Sequence, residues 1–181
     1  MKILNTIDEA LSLLVLGQLI AYPTETVYGL GCDPFNQKAV SRLLALKKRD
    51  VNKGLILLIR DWSQLTPLIE AIPASQLEWV KSTWPGPITW VFPKSLKIPL
   101  WVSGDHPGIA IRMSAHGVAK ALCVNGPIIS TSANITSLMP ALNSDEVIAQ
   151  FPDGIDAIIP GTSGGGNPSA IYDALSGRQL R

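Results

Sequence analysis

Cysteine and histidine are nearly absent from this sequence: Cys32, Cys123, His106 and His116 are the whole complement in 181 residues. Two cysteines without a C-x-x-C pair are too few to staple a scaffold, and neither histidine has a Cys or His neighbour at zinc-ligand spacing. Disulfide frameworks and structural zinc are excluded, and buried, reduced thiols in a cytoplasmic protein are expected. Charge is also scarce. Asp, Glu, Lys and Arg make up 16% of the chain, which argues against coiled coils, solvated long helices and charged tails. A net charge of +1 and a pI near 7.8 leave no whole-domain basic footprint, which would lift the pI above about 9. Any anion site must therefore be local.

Long apolar runs are missing as well. The most apolar window, Leu11 to Tyr22, is interrupted by Ser12, Gly17 and Gln18 and falls short of the ~20 residues a bilayer needs. Asp8 and Glu9 break any signal-peptide pattern, so no membrane association is expected. Gly-Lys-Ser/Thr occurs nowhere, and "GLGCDP" lacks the third glycine of a dinucleotide fingerprint. Gly161, Ser163 and Gly165 match G-x-S-x-G, but Gly166, Asn167 and Pro168 do not open a helix and both histidines lie upstream. P-loop, Rossmann and serine-hydrolase chemistry are set aside.

What the chain does have is apolar mass. Hydrophobic residues reach 46% and mean hydropathy is +0.25, enough for one well-packed domain spanning residues 1–181. Helical and strand-like segments alternate, which predicts an α/β fold with a mixed sheet covered by helices. Thr6-x-x-Glu9 predicts a capping box and a helix to about Leu16, ended by Gly17. Asn36 caps a second helix with Val40, Leu43 and Leu44 inward and Lys47 and Lys48 in its last turn. Further helices are expected at Gln64–Ala71, Ser75–Ser82, "GVAKALC" and after Ser144. Strands are expected at "LIAY", "LILLI", "ITWVF", "IAIRM", "PIIST", "AIIP" and "AIYD".

The near-neutral chain nonetheless gathers Lys47, Lys48, Arg49 and Lys53 just before "LILLI". A helix dipole accounts for the first two. Arg49 and Lys53 lie past the helix, at the approach to a buried strand, where α/β folds bind ligands and where Arg forks suit phosphate. Polar clusters follow other strands: Thr24, Glu25, Thr26 and Tyr28 in "YPTETVYGLG", and Ser130 to Asn134 in "STSAN". Such density suits hydrogen bonds to ligand oxygens. "SGGGNPS" is either an anion nest or a flexible loop, and "WPGP" reads as a rigid turn.

In order and spacing, "YPTETVYGLG", "LKKRDVNKGL", "WPGPITWVF", "IAIRM", "STSAN" and "NPSAI" resemble the YrdC/Sua5 family, over about Leu19 to Tyr172. The short chain is most similar to its single-domain bacterial form. The resemblance implies a twisted mixed sheet around a concave basic cavity. It implies synthesis of L-threonylcarbamoyladenylate from L-threonine, bicarbonate or CO2 and ATP with Mg2+, releasing pyrophosphate. Partner proteins would then transfer the threonylcarbamoyl group to adenosine 37 of tRNAs reading codons that begin with A. The family signature falls on Lys47, Arg49, Ser132 and Asn134 as catalytic residues. ATP contacts fall on Arg49, Lys53, Gly108, Ser132, Pro140 and Arg181, and threonine contacts on Thr26, Arg112, Ser130 and Ser169. Asp50, Lys53 and Leu58 depart from the family pattern, which carries proline, asparagine and histidine there. The second reading is an RNA-binding module, with tRNA or double-stranded RNA on the same basic face.

Overall fold

The computed structural model describes residues 1–165 and 167–181; Gly166 of the glycine run lies outside them. Each element follows from local chemistry. A two-residue strand, β1 (Lys2–Ile3), leads to α1 (Ile7–Val15), where Thr6 accepts from the Glu9 amide and Glu9 from the Thr6 amide, the expected capping box. β2 (Ile20–Tyr22) and β3 (Gly29–Gly31) follow, then α2 (Gln37–Lys47), capped by Asn36 at the Ala39 amide. Lys48 lies just outside α2, in the left-handed conformation at φ 50°. A 3-10 turn, Val51–Lys53, precedes β4 (Ile56–Ile59).

The helix expected over Gln64–Ala71 is not continuous. Asp61 caps α3 (Trp62–Leu65), and Thr66–Leu68 tightens to 3-10 geometry at Pro67, which has no N–H to continue an α-helix. The remaining elements are α4 (Ala74–Thr83), β5 (Ile88–Pro93), α5 (Leu100–Ser103), β6 (Gly108–Met113) and α6 (Gly117–Leu122). β7 (Ile128–Ser132), α7 (Ser144–Gln150), β8 (Ala157–Ile158) and β9 (Ala170–Asp173) complete the chain.

Among the described residues nine strands form one mixed sheet in the order β1-β8-β2-β3-β7-β4-β6-β5-β9. β4 runs parallel to β6 and β5 to β9, while β7 is antiparallel to both of its neighbours, β3 and β4. Both faces are covered, and alternate side chains go to opposite cores. Leu58 joins Ile20, Tyr22 and Leu122 under α1 and α6. Leu57 and Ile59 join Leu43, Phe92 and Ile111 on the other side.

The register of β7 positions the site. Ile128 to Ser130 pair with β4, but that ladder stops at Ile56 opposite Ser130. Thr131 and Ser132 pair only with β3, through Leu30 and Gly29. The sheet therefore parts between the start of β4 and the end of β7, and backbone and hydroxyl groups are left facing a gap. Among the described residues no helix is long and apolar enough to cross a membrane.

Candidate functional site

Two cavities adjoin at this parting. The smaller, about 110 Å3, is walled by hydroxyls and cations: Thr24, Thr26, Ser130, Ser132, Ser169 and Arg112, with Leu58 as an apolar patch. The larger, about 480 Å3, is mostly apolar, with Val91, Phe92, Pro93, Ile109 and Ile171, and with Lys53, His106 and Gly108 at its polar edge. Arg49, Leu55, Ile56 and Arg181 belong to both. Two guanidinium groups thus stand where a ligand spanning the cavities has to pass.

Both of these arginines are held in place by backbone oxygens. Arg49 Nη2 donates to the Gly54 carbonyl at 2.9 Å, and its buried Nε has no partner among the described residues. Burial, and then the neighbouring Arg181 charge, hold Arg49 below the ordinary guanidinium range; burial does the same for Arg181. Arg181 Nη2 donates to the Ser169 carbonyl at 3.0 Å. Its backbone is tied to Ile171, whose amide donates to the Arg181 carbonyl at 3.1 Å. Such like charges, desolvated together, are a receptor for anionic oxygens.

The smaller cavity is built from buried, mutually bonded polar groups. Thr24 Oγ1 donates to the Val27 carbonyl at 2.7 Å and accepts from the Thr26 amide at 3.1 Å. Ser169 Oγ meets Thr89 Oγ1 at 2.8 Å. Ser163 Oγ accepts from the Thr24 amide at 3.2 Å, which makes it a brace for this wall and is consistent with setting aside the nucleophile elbow. Arg112 is 6% exposed, and its Nη2 pairs with Glu25 Oε2 at 3.1 Å.

Of the residues picked out in the sequence, Thr26, Arg49, Arg112, Ser130, Ser132, Ser169 and Arg181 gather at the smaller cavity, and Lys53 and Gly108 at the larger. Lys47, Asn134 and Pro140 line neither. Lys47 is 3% exposed and its Nζ donates to the Ser132 carbonyl, to the Asn134 carbonyl at 2.6 Å and to Asn134 Oδ1 at 3.4 Å. Asn134 Oδ1 also accepts from Ser132 Oγ at 2.6 Å. Burial, reinforced by Arg49, lowers the Lys47 ammonium to about 8. The pair braces the back of the "STSAN" loop.

Sequence reasoning missed the apolar wall of the larger cavity, because its members come from β5, β6 and β9 and meet only through strand pairing. It also passed over Ser114, which donates to Glu25 Oε2 at 2.6 Å; the one signal was an acidic residue set between two threonines at a strand end. For a metal, the described residues contain no group of three or more His, Cys, Asp or Glu able to hold an ion. Asp173 lines the larger cavity, but its Oδ1 already accepts from Leu175 and Ser176.

Comparison with known proteins agrees with this architecture. The Sua5/YciO/YrdC family model, described as "Telomere recombination", matches residues 12–181. A threonylcarbamoyl-AMP synthase from Coxiella burnetii is 47% identical over 180 residues, covering 98% of this chain and 97% of that protein. The structure of P. abyssi Sua5 complexed with L-threonine superposes with a TM-score of 0.87 at 36% identity, covering 92% of this chain. This chain spans 50% of that longer protein. E. coli YciO, at 22% identity, shares the fold with a TM-score of 0.85, over 96% of this chain and 86% of its own. The chain belongs to the Sua5/YciO/YrdC family.

Proposed function

We propose that this chain is an L-threonylcarbamoyladenylate synthase that uses L-threonine, bicarbonate or CO2 and Mg-ATP and releases pyrophosphate. The observation that carries the reading is the shared wall: Arg49 and Arg181 stand between a small polar cavity holding Arg112 and a larger apolar one. The first suits an amino acid, whose carboxylate pairs with Arg112 while its hydroxyl and amine meet Thr26, Ser130 and Ser169. The second suits a purine nucleoside, with Lys53 and Gly108 beside it.

The chemistry needs a threonine nitrogen freed of its extra proton. That nitrogen forms a bond to the carbon of CO2 as one C–O π bond opens onto oxygen, and it releases a second proton to solvent, giving a carbamate anion. A carbamate oxygen then forms a bond to the α-phosphorus, and the bond from that phosphorus to the bridging oxygen breaks, so pyrophosphate departs with the electron pair. Negative charge grows on the phosphoryl oxygens and leaving group, where Arg49 and Arg181 stabilise it; no protein nucleophile is required. A free carbamate decomposes in water, so an enclosed site protects it. Mg2+ enters as part of the nucleotide substrate. Lys47 and Asn134 act from behind by fixing the loop that presents Ser132. The adenylate then passes to tRNA-modifying proteins that act on adenosine 37 of tRNAs reading codons that begin with A, and the compartment proposed for the chain is the cytoplasm.

The test is to incubate purified protein with labelled threonine, bicarbonate and Mg-ATP and to follow pyrophosphate and the labelled adenylate. Both are expected only when all substrates are present. Pyrophosphate release that ignores threonine sinks the reading. Tight, salt-steep tRNA binding without ATP or threonine turns it toward the RNA-binding alternative.

A further inference from the structure

Behind Arg112 lies a polar cluster that the reaction scheme leaves unused. Glu25 Oε2 accepts from Arg112 Nη2 at 3.1 Å and from Ser114 Oγ at 2.6 Å. Ser114 is fully buried, and its Oγ in turn accepts from the His116 amide at 3.1 Å. The other side of Glu25 is pressed by the glycine-rich loop: a Cβ on Gly164 would run into the Glu25 carbonyl oxygen, and the Gly164 and Gly165 amides bond to the Thr24 and Thr26 carbonyls. The backbone carrying Glu25 is thus fixed on an element that also forms the cavity wall, and the carboxylate is held through Oε2, its buried Oε1 having no partner among the described residues.

The guanidinium it holds is incompletely used. Arg112 is more than nine-tenths buried and lines the smaller cavity. Among the described residues only its Nη2 has a side-chain partner, and its buried Nε has none. Buried N–H groups without acceptors are costly, so the free edge of this guanidinium is suited to a further hydrogen-bond acceptor, for which a carboxylate is the best-matched fork. A carboxylate already bound at one edge also fixes the plane in which that second anion must approach, since the guanidinium is a rigid fork.

We propose that Glu25, held by Ser114, is a positioning residue that orients Arg112 to recognise the carboxylate of the amino-acid substrate. This deepens the threonine-binding reading above and rests on it. Glu25 does not line the cavity, so it acts through Arg112 and not on the substrate. The consequence is selectivity for a free α-carboxylate: a neutral amide in its place presents an N–H2 to the fork and leaves its spare N–H groups without a second acceptor.

The experiment measures binding of L-threonine and of L-threoninamide by titration calorimetry, with ATP as a control for the rest of the site. Wild type is expected to favour threonine strongly. Glu25→Ala is expected to lower the threonine-to-threoninamide affinity ratio by about tenfold or more, with ATP affinity within about twofold of wild type. Glu25→Gln, which keeps an oxygen where Nη2 and Ser114 can reach it, is expected to recover most of that ratio. Ser114→Ala, the smaller lesion, keeps the test decisive if Glu25→Ala does not fold; it is expected to lower the ratio about threefold. An unchanged ratio in Glu25→Ala or, failing that variant, in Ser114→Ala overturns the inference while Arg112→Lys still abolishes selectivity. If Arg112→Lys also leaves the ratio unchanged, the threonine-carboxylate reading itself is wrong and the role of Glu25 falls with it.

Discussion

Lys47 and Asn134 are joined by the lysine ammonium, which reaches across 87 residues of sequence to the Asn134 carbonyl at 2.6 Å and touches the side-chain oxygen as well. The cation nearest the end of α2 is therefore spent on the loop after β7. Arg49, two residues on, lines both cavities.

Replacing Lys47 by Met is expected to leave the part-buried Asn134 carbonyl without the ammonium, while the Ser132 carbonyl keeps the Asn134 amide. The loss of folding stability should be roughly 1–3 kcal/mol, the range for stranding a buried acceptor, read as a lower urea midpoint. Turnover should fall with it, because the loop holding Ser132 loosens. If the stability obtained from the titration falls by less than about 0.5 kcal/mol, the brace is unimportant.

Lys48 offers the opposite case. It is exposed and held at φ 50° beyond the end of α2, where an L-residue is strained and glycine is not. Lys48→Gly should stabilise the fold by about 0.5–1 kcal/mol, with turnover unchanged. Equilibrium unfolding beside a steady-state assay decides it, and a destabilised variant contradicts the account.

The Lys47 charge also sets a pH dependence. Its pKa falls from 10.5 to about 8 on folding, so between those values the unfolded chain binds more protons and stability rises with pH. The buried thiols act the other way. Cys32 and Cys123 rise from 9.0 to about 12 through burial, so their contribution is present below pH 9 and is lost as pH climbs through that interval. Wild type should gain stability from pH 7.5 to 9, on the order of 1 kcal/mol or less, and lose it above pH 9, where two thiols outweigh one lysine. Lys47→Met should show no gain. Denaturant titrations at stepped pH separate the two, and a parallel response in the variant excludes Lys47 as the source.

The same numbers make the thiols unreactive. Both are fully buried, and a thiol held near 12 is almost wholly protonated at pH 8, when only the thiolate attacks a disulfide reagent. Ellman's reagent should label neither cysteine in the native protein on the time that denatured protein gives two equivalents. Fast labelling of one site in native protein would show local opening there.

How far these features can be read from sequence depends on the distance over which they are determined. The Thr6–Glu9 cap is complete within four residues, and the structure has both of its bonds. The site was legible as scattered polar clusters at strand ends, because hydroxyls and arginines there are unusual against a 46% hydrophobic background. β3 was not legible, because a Gly-Leu-Gly strand runs against propensity. The reason for its glycines lies elsewhere in the fold: the Tyr22 ring lies 3.1 Å from where a Gly29 Cβ would sit, and a Gly31 Cβ would meet the Ile129 carbonyl. The direction of Lys47 was hidden for the same reason. Its place in the last turn of a helix says nothing of a loop that arrives 85 residues later.

Arg181 gives the sharpest test of the joint between the cavities. Its guanidinium lines both, whereas Arg112 lines only the smaller one, so Arg181→Ala and Arg112→Lys should differ in kind. Without the Arg181 side chain, Arg49 is left as the single guanidinium in the shared wall, and losing a charge-assisted bond worth about 1.5–3 kcal/mol should weaken both ATP and threonine binding by roughly tenfold or more. Stability should change little, within ~0.5 kcal/mol, because the backbone pairing of Arg181 with Ile171 does not depend on the side chain. Arg112→Lys should weaken threonine and spare ATP. Calorimetric titration of each ligand into each variant checks this, and a loss of ATP binding alone in Arg181→Ala would mean that the two cavities do not hold one continuous reacting pair.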